Sequence, residues 1–208
     1  MPKRIVIDIE TVPRPGIMDT WYPQWASDKY PNVEGDALED MAALHAEFGM
    51  VCAVAIASAN GNDEPVVYTA SNEDEEVELL AAIENLMDDE NVILVGHNIK
   101  GFDIPFLAKR FMARRRFVPR MLNMGGKKPW EIPHRDTMEI MRFGGGASMS
   151  LRSACLMLNI EDPKGSVGGS EVSEMFRQGR VPEIGQYCAG DVVAERELYK
   201  QLIDAEVI

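Results

Sequence analysis

Residues 4–13 read Arg4-Ile5-Val6-Ile7-Asp8-Ile9-Glu10-Thr11-Val12-Pro13. Ile5, Val6, Ile7 and Ile9 make an apolar run too continuous for a strand with one wet face. The segment is therefore expected as a central strand, buried on both sides. Pro13 and Pro15 end it, since proline cannot donate to a ladder. Asp8 and Glu10 stand two apart in that strand, so their side chains share a face. Two carboxylates on one face at the end of a buried strand repel each other and are costly to desolvate. A divalent cation would remove that cost. An Asp-x-Glu triplet is common on its own, and its place at a strand end is what gives it meaning.

Working outward, residues 12–35 are rich in Pro, Trp and Tyr without a clear period and read as a long loop. Residues 36–48 read as a helix, with Leu38, Met41, Ala42 and His45 on one side. Residues 51–57 and 65–70 are β-rich runs separated by Asn60-Gly61-Asn62-Asp63, the pattern of a hairpin. Ser71 or Asn72 is placed to cap a helix that begins Glu73-Asp74-Glu75-Glu76, acids that suit the positive end of the helix dipole. Val77, Leu79, Leu80, Ile83 and Leu86 give its buried side. Residues 91–95 form a second buried strand, and a helix follows from about residue 102 to 115. Residues 134–138 suggest a short strand, residues 150–159 and 170–178 two helices, and about residue 182 to 205 a last helix. No internal repeat or linker divides the chain, so residues 1–208 are expected as one domain. The order of elements is that of an α/β fold with a mixed sheet.

The chain of 208 residues is 46% hydrophobic, enough for one core. Its three cysteines, Cys52, Cys155 and Cys188, form no CxxC pair and lie in apolar stretches, which reads as buried free thiols in a reducing compartment. The three histidines have no ligand-like spacing to them, which argues against zinc. The five-residue apolar stretch near the start is too short for a signal peptide, and no stretch resembles a membrane span, so a cytoplasmic protein is expected.

The net charge of −13 alone argues against a nucleic-acid partner. Its distribution argues the other way. Residues 109–128 hold Lys109, Arg110, Arg114, Arg115, Arg116, Arg120, Lys127 and Lys128 with no acid between them. Such a run is either a solvated helix face or a local phosphate-binding surface, and on the second reading Arg114, Arg115 and Arg116 reach the backbone of a bound strand.

Two further groups complete a constellation. Asp103 follows the second buried strand at the start of the next helix. Tyr187 and Asp191 are four apart on the last helix and share a face. Singly, these are a helix-start acid, a packing tyrosine and a surface aspartate. Together, the segments Ile7-Asp8-Ile9-Glu10-Thr11, Gly96-His97-Asn98-Ile99-Lys100-Gly101-Phe102-Asp103 and Tyr187-Cys188-Ala189-Gly190-Asp191 resemble, in order, the three motifs of the DEDD exonuclease superfamily. The tyrosine four residues before the last aspartate matches the DEDDy branch; the other branch has histidine five residues before it, where this chain has Gln186. The chain is most similar to predicted exonucleases akin to the proofreading domain of family B DNA polymerases, which residues 150–155 and 168–190 also resemble. The likeness spans nearly the whole chain apart from residues 13–35.

That resemblance implies an RNase H-like fold with a mixed five-stranded sheet flanked by helices. It implies two divalent ions, Mg²⁺ or Mn²⁺, and hydrolysis releasing nucleoside monophosphates from a 3′ end. By resemblance, Asp8 bridges the ions, Glu10 and Asp191 hold the first, Asp103 supports the second and Tyr187 holds the attacking water. Thr11, Asn98 and Phe102 match positions that contact the terminal nucleotide or support the site, with plain packing an equal reading for Phe102. His97 reads as structural. Hard oxygen ligands with few imidazoles independently favour Mg²⁺ or Mn²⁺. DNA, single-stranded, is the expected substrate. RNA is the alternative, because motifs that read phosphates and metals do not read the 2′-hydroxyl. A non-catalytic nucleic-acid-binding or polymerase-accessory role on the same scaffold is a further alternative. A proofreading role would need a polymerase or repair protein as a separate partner, and a membrane role is not expected.

Overall fold

The structure is a computed structural model describing residues 2–89, 91–161 and 171–208. Five strands, β1 (Lys3–Pro13), β2 (Gly49–Ser58), β3 (Val66–Thr69), β4 (Val92–Gly96) and β5 (Arg135–Asp136), form one mixed sheet in the order β3-β2-β1-β4-β5. The expected central strand is found: β1 runs antiparallel to β2 and parallel to β4. Ile5, Val6, Ile7 and Ile9 are buried, and β2 is buried along almost its whole length. The hairpin is also found, with β2 antiparallel to β3. The register of β1 against β2 shifts between Glu10 and Thr11, a bulge immediately after the paired acids.

The helices are α1 (Tyr22–Lys29), α2 (Gly35–Asp40), α3 (Glu73–Met87), α4 (Asp103–Ala113), α5 (Thr137–Met141), α6 (Leu151–Leu158), α7 (Val172–Arg177) and α8 (Val181–Asp204). Asn72 is the cap of α3, its side chain accepting from the N–H groups of Asp74 and Glu75. The long α8 lies across β1, β2 and β3. It comes so close to β3 that a Cβ on Gly185 would stand 2.9 Å from side-chain carbons of Val67 and Thr69. Residues 168–170 of the stretches read above lie outside the described residues. No described helix is long and apolar enough to cross a membrane, and the three cysteines are buried and in no disulfide.

Three expectations need correction. Residues 12–35 are not a plain loop. They hold a 3-10 turn at Ile17–Asp19 and α1, and Ile17, Tyr22 and Ala26 join Leu38, Ala42 and Phe48 in a small second core. The Tyr22 hydroxyl donates to Leu38 O at 2.6 Å. Tyr22, Trp25 and Ala26 are spaced at three and four residues, so a helical face was present but hidden by prolines on either side. Second, the helix expected over 36–48 ends at Asp40 and continues only as a 3-10 turn, Met41–Leu44. The Thr11 hydroxyl takes Ala43 O at 2.7 Å, and the chain must then extend into β2. Gly49 is crowded by backbone there, with Ala42 O and Val12 O at 3.0 and 3.1 Å from where a Cβ would sit.

The third correction concerns charge. Glu76 is more than a helix-dipole acid, and five of the eight basic residues of the run stand in ion pairs. Arg110 and Glu76 are both buried, and Glu76 also accepts from Val51 N–H at 2.8 Å. Arg114 donates to Glu76 and Glu73, each at 2.7 Å. Arg116 pairs with Glu84, Arg120 with Asp88 and Lys109 with Glu47. Acids of α3 thus pair with three residues of the run, Arg110, Arg114 and Arg116. Arg114 and Arg116 are turned to α3; Arg115, in the left-handed region at φ 54°, is exposed.

Candidate active site

The site forms where β1 outruns β4. The two strands pair only over Lys3–Val6 on the β1 side, so the later N–H groups of β1 need other partners. Ile9 N–H finds one in Asp103, whose Oδ1 accepts it at 3.2 Å. The turn between β4 and α4 delivers that carboxylate. Gly96 starts the turn because a Cβ there would lie 2.8 Å from Ile7 O. Asn98 adopts a left-handed φ of 64°. The buried carboxylate of Asp136 accepts from Asn98 N–H and Lys100 N–H, both at 3.0 Å, and so holds the turn from below.

Asp8 and Glu10 share a face of β1, as their spacing required. α8 supplies Tyr187, Asp191 and Glu195 at four-residue intervals, all buried. One carboxylate oxygen each from Asp8, Glu10 and Asp191 lies within 4.8 Å of the others. Asp103 stands beside this cluster and not inside it. The electrostatics match the crowding. Burial pushes the Asp8 carboxyl well above its ordinary range, and the charges of Glu10, Asp103 and Asp191 push it further. Asp103 is pushed up to about 7, mainly by burial. Such a set is stable in its ionised form only if a positive charge is supplied. All its donors are hard oxygens, the set that suits Mg²⁺ or Mn²⁺. The site chemistry therefore fits such an ion, with Asp8, Glu10 and Asp191 the residues able to hold it.

Residues 42–203 match the family of predicted 3′–5′ exonucleases related to the exonuclease domain of PolB. The chain belongs to that family. No protein of curated function matches the chain in sequence. Among solved structures, a family B DNA polymerase from the archaeon Pyrobaculum calidifontis is similar over 100% of this chain and 25% of its own, at TM-score 0.65 and 16% identity. Exonuclease I from E. coli, in complex with a dT13 oligonucleotide, is similar over 97% of this chain and 41% of its own, at TM-score 0.56 and 13% identity. The chain thus spans a quarter to two-fifths of these larger proteins, and the likeness fixes the fold as RNase H-like.

Of the residues that the PolB-related motifs singled out, the structure brings Asp8, Glu10, Asp191, Asp103 and Tyr187 to one region. Thr11 and Phe102 line a largely apolar cavity of about 480 Å³ that also touches Glu10, Ile9, Met41, Ala43, Leu44 and Ser173. Asn98 folds its side chain over Gly101, where a Cβ would meet its Oδ1 at 2.4 Å. His97 is structural, as expected: its Nε2 lies 2.7 Å from Met149 O and its Nδ1 3.0 Å from Thr137 Oγ1.

Several residues were missed. Glu195 is buried beside His97 and Thr137, and its Oε1 is 2.8 Å from Thr137 Oγ1. Burial raises its carboxyl well above the ordinary range. Because Met149 O can only accept, His97 donates through Nε2. The Thr137 hydroxyl donates to Glu195 Oε1. The spacing Asp191 to Glu195 carried the signal for a second acid on that face. Asp136 is legible as the cap of α5, accepting from Glu139 N–H at 3.2 Å, but its hold on the turn rests on Asn98 and Lys100 N–H, far away in sequence. Met41 and Leu44 lay in a segment read as ordinary helix.

Proposed function

We propose that this chain hydrolyses the terminal phosphodiester bond at the 3′ end of single-stranded DNA, releasing nucleoside 5′-monophosphates one at a time, as a single catalytic domain. The observation that carries this reading is the convergence of Asp8, Glu10 and Asp191 within 4.8 Å, on a buried strand end, beside an apolar cavity. Carboxylates so placed repel unless cations join them. Two divalent ions, Mg²⁺ or Mn²⁺, would be held by Asp8, Glu10 and Asp191, with Asp103 supporting the second. Bound there, they would supply an acidified water and charge compensation for the developing phosphorane.

The chain's own residues do the rest. Tyr187, one turn before Asp191 on α8, orients the attacking water through its hydroxyl. Phe102, Met41 and Leu44 offer an apolar wall to the last base. They carry no base-edge hydrogen-bonding groups, which suits removal of any nucleotide. The oligonucleotide bound to exonuclease I supports DNA as substrate. The test is incubation of 5′-labelled and 3′-labelled DNA and RNA oligonucleotides with Mn²⁺ or Mg²⁺. A 3′-labelled strand should release labelled mononucleotide at once, and a 5′-labelled strand should give a ladder. Mononucleotide from the 5′ label first would reverse the polarity. Faster decay of RNA would change the substrate. Intact strands throughout would leave a binding scaffold.

A further inference from the structure

Cys188 follows Tyr187 on α8 and is fully buried. Its sulfur lies 3.4 Å from Asp8 Oδ2 and 3.3 Å from Asp8 O. Both oxygens only accept when Asp8 is ionised, so the thiol is the donor. The sulfur is close to the carboxylate cluster yet outside the group of atoms that converge, which are all oxygens. It therefore sits behind Asp8 as a support. A thiol is a weak donor in water, but a buried one facing a carboxylate is a charge-assisted contact.

Resting on the reading of Asp8 as a metal ligand, we infer that Cys188 is a positioning residue, whose S–H fixes the orientation of the Asp8 carboxylate for divalent cations. The geometry explains why a cysteine occupies this place. A hydrophobe of the same size would leave Asp8 Oδ2 facing carbon. A basic side chain would compete with the cation. A small neutral donor does neither. The contact also ties α8 to β1 at the point where Tyr187 and Asp191 must stay in register with Asp8.

The experiment is a calorimetric titration of the folded protein with Mn²⁺ in the absence of nucleic acid, for wild type, Cys188→Ala and Cys188→Ser. Removing a group that orients a metal ligand typically costs on the order of tenfold to a hundredfold in affinity. Cys188→Ala should weaken Mn²⁺ binding by about tenfold. Cys188→Ser, which keeps a donor, should recover most of that loss. Equal losses in both variants would mean that the sulfur acts through packing and would overturn the inference, as would wild-type affinity in Cys188→Ala. If Cys188→Ala does not fold, Cys188→Thr and Cys188→Val form a second pair, equal in shape and differing only in the hydroxyl, with tighter Mn²⁺ binding expected for Thr. Absence of Mn²⁺ binding by the wild type would instead remove the metal reading itself, a distinct outcome.

Discussion

Arg110 on α4 donates two hydrogen bonds to Glu76 on α3, Nε to Oε1 at 2.8 Å and Nη2 to Oε2 at 2.7 Å, with both side chains withdrawn from solvent. A third donor of the guanidinium reaches Ala46 O at 2.9 Å. This pair closes the helical layer against β2, whose Val51 N–H also ends on Glu76. Removing the carboxylate would strand a buried cation. Glu76→Ala should therefore destabilise by about 3–5 kcal/mol, the usual cost of breaking a buried pair from one side. For a chain of this size the melting temperature should fall by on the order of 10 °C. Differential scanning calorimetry checks it; a drop of a degree or two would mean that water reaches Arg110.

The cavity beside Glu10 should govern substrate affinity more than rate. Leu44 is 52% exposed at its mouth, an apolar side chain with a free face for a base. Leu44→Gln should raise KM for oligonucleotides by about threefold to tenfold, from the lost apolar contact, and leave kcat nearly unchanged. Steady-state kinetics on short oligonucleotides decide it. A fall in kcat with KM constant would place Leu44 in the chemistry and not in binding.

Glu195 and Asp191 lie one turn apart and should answer oppositely to the same substitution. Glu195 accepts from the Thr137 hydroxyl, and burial raises its carboxyl well above the ordinary range, so an amide, whose oxygen can accept the same bond, can replace it. Glu195→Gln should change stability and Mn²⁺ affinity little. Asp191→Asn removes a charge from the converging cluster and should weaken Mn²⁺ binding by at least about tenfold. Parallel binding isotherms test the contrast; a large loss in Glu195→Gln would make Glu195 an ionised member of the site.

The stabilising effect of a divalent ion should depend on pH in a set direction. Asp8 and Asp103 have carboxyls raised above their unfolded values, Asp103 to about 7. Their protonated forms are favoured by folding. That contribution is fully present below about pH 4 and is lost as pH rises through about 7. His45 and His134, lowered by burial, act in the opposite sense, so the metal-free protein mixes the two. The difference between metal-loaded and metal-free protein cancels the histidines. Cations select the ionised carboxylates, so the gain in melting temperature from saturating Mn²⁺ should grow between pH 5 and 7.5, a window set by the value of about 7 for Asp103. Thermal denaturation with Mn²⁺ and with chelator measures this gain, and a gain constant across the range would contradict the electrostatic account.

Much of the sheet was legible because its signals are local. The apolar run Ile5–Ile7 announces a buried strand, and Asn72 with its following acids announces a helix start. The acids of the site were legible as spacings: two on a strand, four on a helix. What escaped was long-range. Glu76 and Arg110 each had a sufficient local explanation, dipole and helix face, and only the packing of α3 on α4 reveals that each exists for the other. The run from Lys109 onward was read as a surface for the same reason. The second core around Tyr22 and Phe48 was missed because α1 is short and its prolines mask the period. Cys188 was legible as a buried thiol, but its contact with Asp8 depends on the tertiary path of α8.

The central claim is that Asp8, with Glu10 and Asp191, holds the ions that hydrolyse a 3′-terminal phosphodiester bond. The most direct measurement is mononucleotide release from a 3′-labelled single-stranded DNA by wild type and Asp8→Ala, each with Mn²⁺ and with excess chelator. The wild type should act only with the cation, and Asp8→Ala should lose at least about a thousandfold with its fold intact, because the residue serves both ions. Release that persists in chelator, or an Asp8→Ala protein as active as the wild type, would contradict the account.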